Sequence, residues 1–141
     1  LTEWKIGTRW AGVVWEDLPS RFPGELESYL ATPADLPWSP EPLSTVAARF
    51  AAAVGAALER HRDGELVFVA HQDPVQAARL ALLGRTLEKL QDDKPRHAEI
   101  ITLATADPTV AQPWREVGRW APDQGAVFPP VDRSAGTDRE R

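Results

Sequence analysis

Cysteine is absent from the 141-residue sequence, and its absence removes several kinds of chemistry. Disulfide bonds, thiolate metal sites and a cysteine nucleophile are all excluded. The three histidines (His61, His71 and His97) also lack the short spacing with which one helix presents two imidazoles to a zinc ion. We therefore expect no metal site in this sequence.

An excess of positive charge and a long apolar run are missing as well. The formal net charge is −5 at pH 7, whereas nucleic-acid-binding domains usually carry a basic patch. No apolar run approaches the length of a membrane span, and no signal-peptide pattern opens the chain. With 43% apolar residues, the chain can form one core but not two full domains. The sequence thus predicts a cytoplasmic protein that binds neither nucleic acid nor membranes.

The most informative stretch is a short, valine-rich apolar run at residues 66–70, which predicts a strand buried on both faces. Asp73 is a suitable N-cap for a helix over residues 74–83. His71 would then stand at the carboxyl end of a strand and beside a helix N-terminus, where open α/β sheets bind ligands and anions. The alternative is that His71 only satisfies a carbonyl group of the turn.

A second candidate residue, Glu3, lies among the bulky apolar residues Trp4, Ile6 and Trp10 in a segment predicted to be irregular (residues 1–12). A carboxylate close to aromatic surface is partly desolvated, and such a group can hold a proton near neutral pH. Glu3 therefore suits the role of a general acid. The alternative is a surface carboxylate beside two core tryptophans.

Residues 31–42 contain four prolines, which exclude a central strand and predict an ordered loop or a lid. Trp38 is expected to pin this loop to the body of the protein. Glu41, between two prolines, is either solvated or directed at a site, and the sequence favours the solvated position. Both residues are candidates for a loop that contacts substrate.

The clearest helix is predicted over residues 43–62, because apolar residues recur there at helical spacing. Arg49 in this helix and Arg79 in the following one are both expected on the solvent side. A second strand is predicted at residues 98–104. Beyond it, a segment between Trp114 and Trp120 is expected to dock as a patch.

Taken in order, these features resemble the histidine phosphatase (phosphoglycerate mutase-like) superfamily. Its members carry a Leu-x-Glu followed by a glycine and a Trp-x-Gly, then a Gly-Glu-Ser segment that opens a helix bearing an arginine. A strand ending in Val-x-His, a helix ending in Leu-Leu-Gly and a final strand follow. The matching residues are Leu1, Glu3, Gly7, Trp10, Gly12, Glu41, Arg49, Val69, His71, Leu82, Leu83 and Gly84, with the final strand at residues 98–103.

The resemblance implies an α/β protein with a three-layer α/β/α phosphoglycerate mutase-like fold, here an incomplete domain. Residues 1–104 would be the C-terminal part of the phosphatase-like domain. Residues 105–131 are expected to form a loosely packed extension, and residues 132–141 a disordered tail.

The resemblance also implies hydrolysis of a phosphorylated small molecule through a phosphohistidine, with no metal and no cofactor. His71, aided by Gln72, would bind the phosphoryl oxygens, and Glu3 would protonate the leaving oxygen. Gln72 replaces the glycine usual after that histidine, and Pro-Glu-Pro replaces Gly-Glu-Ser around Glu41. The Arg-His-Gly motif that carries the nucleophile is absent, so we expect it upstream of Leu1. The 141 residues alone are therefore expected to be inactive and poorly stable.

Three alternatives remain open at this point. The chain could be a non-catalytic module of the same fold that binds an anion or a partner protein, which an upstream Arg-His-Gly would argue against. It could belong to a phosphoglycerate mutase-type phosphotransferase, although the short lid favours a phosphatase. An unrelated α/β hydrolase with His71 as base is disfavoured, because no Gly-x-Ser-x-Gly elbow exists in the sequence. The oligomeric state is not predicted.

Overall fold

Two helices, α4 (Leu43–Arg60) and α5 (Gln72–Leu82), pack against each other in the computed structural model, which describes residues 1–61, 64–105 and 114–122. Short helices precede them and a small sheet follows, so the described part of the chain contains both helices and strands, as expected of an α/β protein. The other elements are α1 (Gly7–Trp10), a 3-10 turn (Trp15–Asp17), α2 (Leu18–Arg21), α3 (Glu25–Ala31), a second 3-10 turn (Leu87–Gln91), β1 (Ile100–Ala104) and β2 (Arg115–Trp120).

Helix α4 confirms the periodicity seen in the sequence. Its buried residues lie on one face, at the three- and four-residue spacing of an amphipathic helix. The helix ends two residues earlier than predicted, at Arg60, where the His61 N–H still donates to the Ala57 carbonyl at 3.0 Å. The buried residues are Leu43, Val46, Ala47, Phe50 and Val54.

Aromatic residues from the segment before α4 pack in one cluster against its buried face. The buried members of this cluster include Trp4, Trp10 and Tyr29. The prediction of an irregular segment over residues 1–12 was wrong for Gly7–Trp10, which is helical. Ile6 and Trp10 are four residues apart and both are buried, so a helical turn directs them to the same side. The Trp38 ring lies 5.2 Å from that of Trp10, which confirms that Trp38 pins its loop to the body.

The predicted strand buried on both faces does not form within the described residues. Residues 65–70 are in neither a helix nor a strand, and Val67 and Val69 are 85% and 86% exposed. Phe68 and Ala70 are half-buried against the cluster that contains Phe50. A short apolar run specifies an extended backbone, but a sheet also needs neighbouring strands to take up its N–H and C=O groups. Within the described ranges no strand pairs with residues 65–70.

The second predicted strand is confirmed as β1, which pairs antiparallel with β2. Thr102 is opposite Gly118 and Leu103 is opposite Glu116, so Val117 forms a bulge in β2. The segment expected to dock as a patch between two tryptophans is therefore the partner strand. The proposed division at residues 104 and 131 stays a prediction, and the tail over residues 132–141 lies outside the described residues.

Arg79 is not on the solvent side of α5, as the sequence predicted, but is 4% exposed. Its Nε donates to Glu116 Oε2 at 2.8 Å, and its Nη2 donates to Asp93 Oδ2 at 2.9 Å. Nη1 donates to Gln76 Oε1 at 3.0 Å. Strand β2 covers this side of the helix, a contact that a helical pattern cannot reveal. The guanidinium thus ties α5 to β2 and to the turn before β1.

Over residues 1–61, 64–105 and 114–122, none of the helices combines the length and the apolar character that a membrane span requires.

Candidate functional site

His71 immediately precedes α5 and has an extended backbone, with φ −91° and ψ 162°. Its carbonyl accepts the first hydrogen bond of the helix, from the Val75 N–H at 3.0 Å. The helix starts at Gln72, so the prediction that Asp73 caps it was wrong, and Pro74 instead falls within the first turn, where no N–H is needed. His71 therefore stands beside the free N–H groups of a helix N-terminus, an arrangement that favours anions.

The structure brings together His71 and Glu3, which are far apart in the sequence. His71 Nδ1 lies 3.1 Å from Glu3 Oε2, and the two side chains are 55% and 50% exposed. The desolvation predicted for Glu3 is absent, because Trp4 turns its ring into the core while Glu3 faces solvent. The Trp4 N–H donates to the other carboxylate oxygen, Oε1, at 2.7 Å. The pair is thus oriented by the protein yet open to a ligand.

Glu41 is buried, which overturns the prediction that it is solvated. It is 7% exposed, and Arg49 Nε donates to its Oε1 at 2.9 Å. The Lys5 N–H donates to Oε2 at 3.2 Å. The flanking prolines indicated an exposed loop, but the second turn of α4 places Arg49 against that loop. Its guanidinium compensates the buried charge.

Burial alone would raise the pKa of the Glu41 carboxyl. The hydrogen bonds from Arg49 and from the Lys5 N–H, together with the positive charges of the Arg49 and Lys5 side chains, outweigh that effect and hold the pKa below its ordinary value of 4.5. The carboxylate is therefore charged at neutral pH.

This lowered pKa makes part of the stability dependent on pH. A carboxyl group with a depressed pKa in the folded state contributes stability above its ordinary value of 4.5 and loses it as pH falls through the folded pKa. We expect Glu41→Gln to lower the free energy of unfolding by about 1.5–3 kcal/mol at pH 7 and by less at pH 3. Urea denaturation at both pH values measures this difference, with Glu27→Gln on the exposed side of α3 as the control. An equal loss at the two pH values would contradict the expectation.

The two remaining candidates have other partners. Gln72 donates its side-chain amide to the Pro95 carbonyl and so links the start of α5 to the turn before β1. Trp38 packs in the aromatic cluster beside Trp10. Their predicted roles in binding phosphate and in a substrate loop stay predictions.

A cluster that the sequence did not reveal holds the first turn of α5 in place. Lys94 Nζ donates to the Tyr29 hydroxyl at 2.7 Å and forms an ion pair with Asp73. The Tyr29 hydroxyl donates to Asp73 Oδ2 at 3.0 Å. Burial lowers the pKa of Lys94, but its bonds to Asp73 and Tyr29 outweigh this and raise the pKa above 10.5, so the cation persists at neutral pH. These residues come from three separate segments, and no local pattern connects them.

Among the residues that the structure describes, no group of three or more histidine, aspartate or glutamate side chains is arranged to hold a metal ion.

One comparison with known proteins found a match. The family model of the histidine phosphatase superfamily (branch 1) matches residues 1–112, whereas no curated protein and no solved structure matches the chain. The matched range runs from the segment of Glu3 through α4, His71 and α5 to β1 and covers most of the 141 residues. The order of features in the sequence and the family model therefore agree, and the chain belongs to the histidine phosphatase superfamily.

Proposed function

We propose that this chain is part of a phosphomonoester hydrolase that acts through a phosphohistidine intermediate. Membership of the superfamily supports a phosphatase- or mutase-type function in general. The observation that carries the finer proposal is the pairing of His71 with Glu3, whose nearest atoms lie 3.1 Å apart at the N-terminus of α5 and remain open to solvent. A phosphorylated small molecule is the proposed substrate class.

In the proposed reaction, the phosphoryl group of the substrate binds between His71 and the first-turn N–H groups of α5. These donors stabilise the charge that builds on the phosphoryl oxygens in the transition state. A second imidazole attacks phosphorus, and the bond between phosphorus and the leaving oxygen breaks to give phosphohistidine. Glu3 in its protonated form gives its proton to the leaving oxygen. As a carboxylate it then takes a proton from the water that attacks the intermediate, and the phosphorus–nitrogen bond breaks to release phosphate.

The attacking imidazole is proposed to lie outside these 141 residues, upstream of Leu1. Members of the superfamily carry it in an Arg-His-Gly motif, and the sequence contains none. His71 cannot be attacking group and donor at the same time. The chain is therefore proposed to supply the donor and the acid, and to be inactive without the nucleophile.

The proposed fold is the three-layer α/β/α sandwich, with residues 65–70 as one strand of its sheet. The alternation of half-buried Phe68 and Ala70 with exposed Val67 and Val69 supports this proposal, since it is the pattern of an extended segment that packs with one face on α4. Strands that would pair with residues 65–70 are proposed to come from the segment that carries the nucleophile. Those strands would also cover the exposed valines.

The test uses the protein encoded by the whole reading frame that contains these residues. We expect it to hydrolyse p-nitrophenyl phosphate and to form an acid-labile, base-stable phosphoenzyme when it is quenched during turnover. The 141-residue chain is the control and is expected to be inactive. Absence of both hydrolysis and phosphoenzyme in the longer protein would contradict the proposal and favour a non-catalytic module, whereas hydrolysis by the short chain would contradict an upstream nucleophile.

A further inference from the structure

The guanidinium of Arg49 lies between Glu41 and the backbone at the start of the chain. Nη1 donates to the Thr2 carbonyl at 2.8 Å, and Nη2 donates to the Glu3 carbonyl at 3.0 Å. Nε donates to Glu41 Oε1 at 2.9 Å. One planar group therefore connects α4, the loop before it and the backbone of Glu3.

Glu41 has three further hydrogen-bond partners. Its carboxylate accepts the Lys5 N–H, and its backbone carbonyl accepts both the Trp4 indole N–H at 2.7 Å and the Ser39 hydroxyl at 2.8 Å. Glu41 is 7% exposed, and the contacts of its carboxylate are with the protein. Residues 2–5 are thus fastened to the loop before α4 on both sides of Glu3.

These bonds determine where the Glu3 carboxylate can lie. The backbone carbonyl of Glu3 accepts a hydrogen bond from Arg49. One oxygen of its carboxylate accepts the Trp4 N–H, and the other faces His71 Nδ1. A side chain that is half exposed has little packing of its own to hold it. The position of the carboxylate opposite His71 therefore depends on the backbone that Arg49 and Glu41 hold.

We propose that Arg49 and Glu41 are positioning residues that hold the Glu3 carboxylate opposite His71 for proton transfer to the leaving group. The inference rests on the proposed function, because it takes Glu3 as the proton donor. In this proposal both residues act through the backbone of Glu3 and not through contact with substrate. A misplacement of a reacting group by about 1 Å can cost a hundredfold in rate, so loss of the fork formed by Arg49 affects the proton transfer more than it affects phosphate binding.

The experiment compares two esters that differ in their need for a proton. The leaving oxygen of 2,4-dinitrophenyl phosphate is a weak base that departs without protonation, whereas that of glycerol 2-phosphate requires a proton. In the full-length protein, Arg49→Met is expected to lower kcat/KM for glycerol 2-phosphate by about tenfold to a hundredfold and for the dinitrophenyl ester by less than about threefold. Glu3→Gln is expected to give the same selectivity with a larger effect.

Two further variants separate positioning from folding. Arg49→Lys keeps the charge beside Glu41 but has no planar fork to reach both carbonyls, so it is expected to show the same selectivity with its fold retained. Glu25→Gln is the matched control, because Glu25 is another buried carboxylate, 8% exposed and bound to Arg9 and the Trp10 indole N–H. Equal losses on both esters in the Arg49 variants, or the same selectivity in Glu25→Gln, would overturn the inference.

A measurement that does not depend on activity separates this inference from the proposed function. In NMR spectra of the wild type, we expect a nuclear Overhauser effect between the Glu3 Hγ protons and the His71 ring, which Arg49→Met should lose and Glu25→Gln should retain. Persistence of this contact in Arg49→Met would overturn the inference. A wild-type protein inactive on both esters would contradict the proposed function alone, and the contact measurement would still decide whether Arg49 positions Glu3.

Discussion

Substitution of His71 by alanine in the full-length protein is expected to lower kcat/KM for phosphomonoester hydrolysis by about a hundred- to a thousandfold. The imidazole stands at the N-terminus of α5 with Glu3 Oε2 at 3.1 Å from its Nδ1. Its removal takes away a donor from the position at which negative charge builds on the phosphoryl oxygens. Because the side chain is 55% exposed, its loss opens no cavity in the core, and we expect the fold to persist.

The measurement is steady-state hydrolysis of p-nitrophenyl phosphate, with circular dichroism as a check on folding. His97→Ala is the control, since His97 is also an exposed histidine but lies in the turn before β1. We expect this control to stay within about twofold of the wild type, as a surface substitution usually does. Equal activity of the two alanine variants would exclude a role for His71 in the reaction.

The largest expected effect on stability comes from Arg79. Replacement by methionine keeps most of the buried side-chain volume but removes the charge that Asp93 and Glu116 share. Loss of one partner from a buried ion pair typically costs about 3–5 kcal/mol. Glu116 is 22% and Asp93 65% exposed at the side chain, so water screens them in part, and Arg119 forms ion pairs with both carboxylates. We therefore expect a loss of about 3 kcal/mol in the free energy of unfolding.

Urea denaturation at pH 7 measures this loss as a lower midpoint with an unchanged slope. The matched control is Arg21→Met, because Arg21 is exposed in the last turn of α2. Combining Arg79→Met with Glu116→Gln is expected to cost more stability than Arg79→Met alone, since the second change also breaks the ion pair between Glu116 and Arg119. A midpoint for Arg79→Met as high as that of Arg21→Met would show that this ion pair does not hold α5 to β2.

The sequence alone determined those features that depend on neighbours along the chain. The apolar periodicity of α4, the helix that follows His71 and the strand at β1 all come from residues that are close in sequence. The order of the short motifs also identified the superfamily, which the family model over residues 1–112 supports. The position of His71 beside a helix N-terminus followed from the same local signals, although the helix starts two residues earlier than its predicted cap suggested.

Only the tertiary structure decided which side chains meet. Glu41 and Arg79 looked solvated because charged residues usually are, but Arg49 and β2 cover them with opposite charges from other segments. The contact between Glu3 and His71 likewise joins residues from distant parts of the sequence. Residues 65–70 show the reverse case, because their valines specify an extended strand, yet a strand becomes part of a sheet only when its neighbours are present. Local propensity depends on adjacent residues, whereas burial, charge pairing and sheet formation depend on residues that the fold brings together.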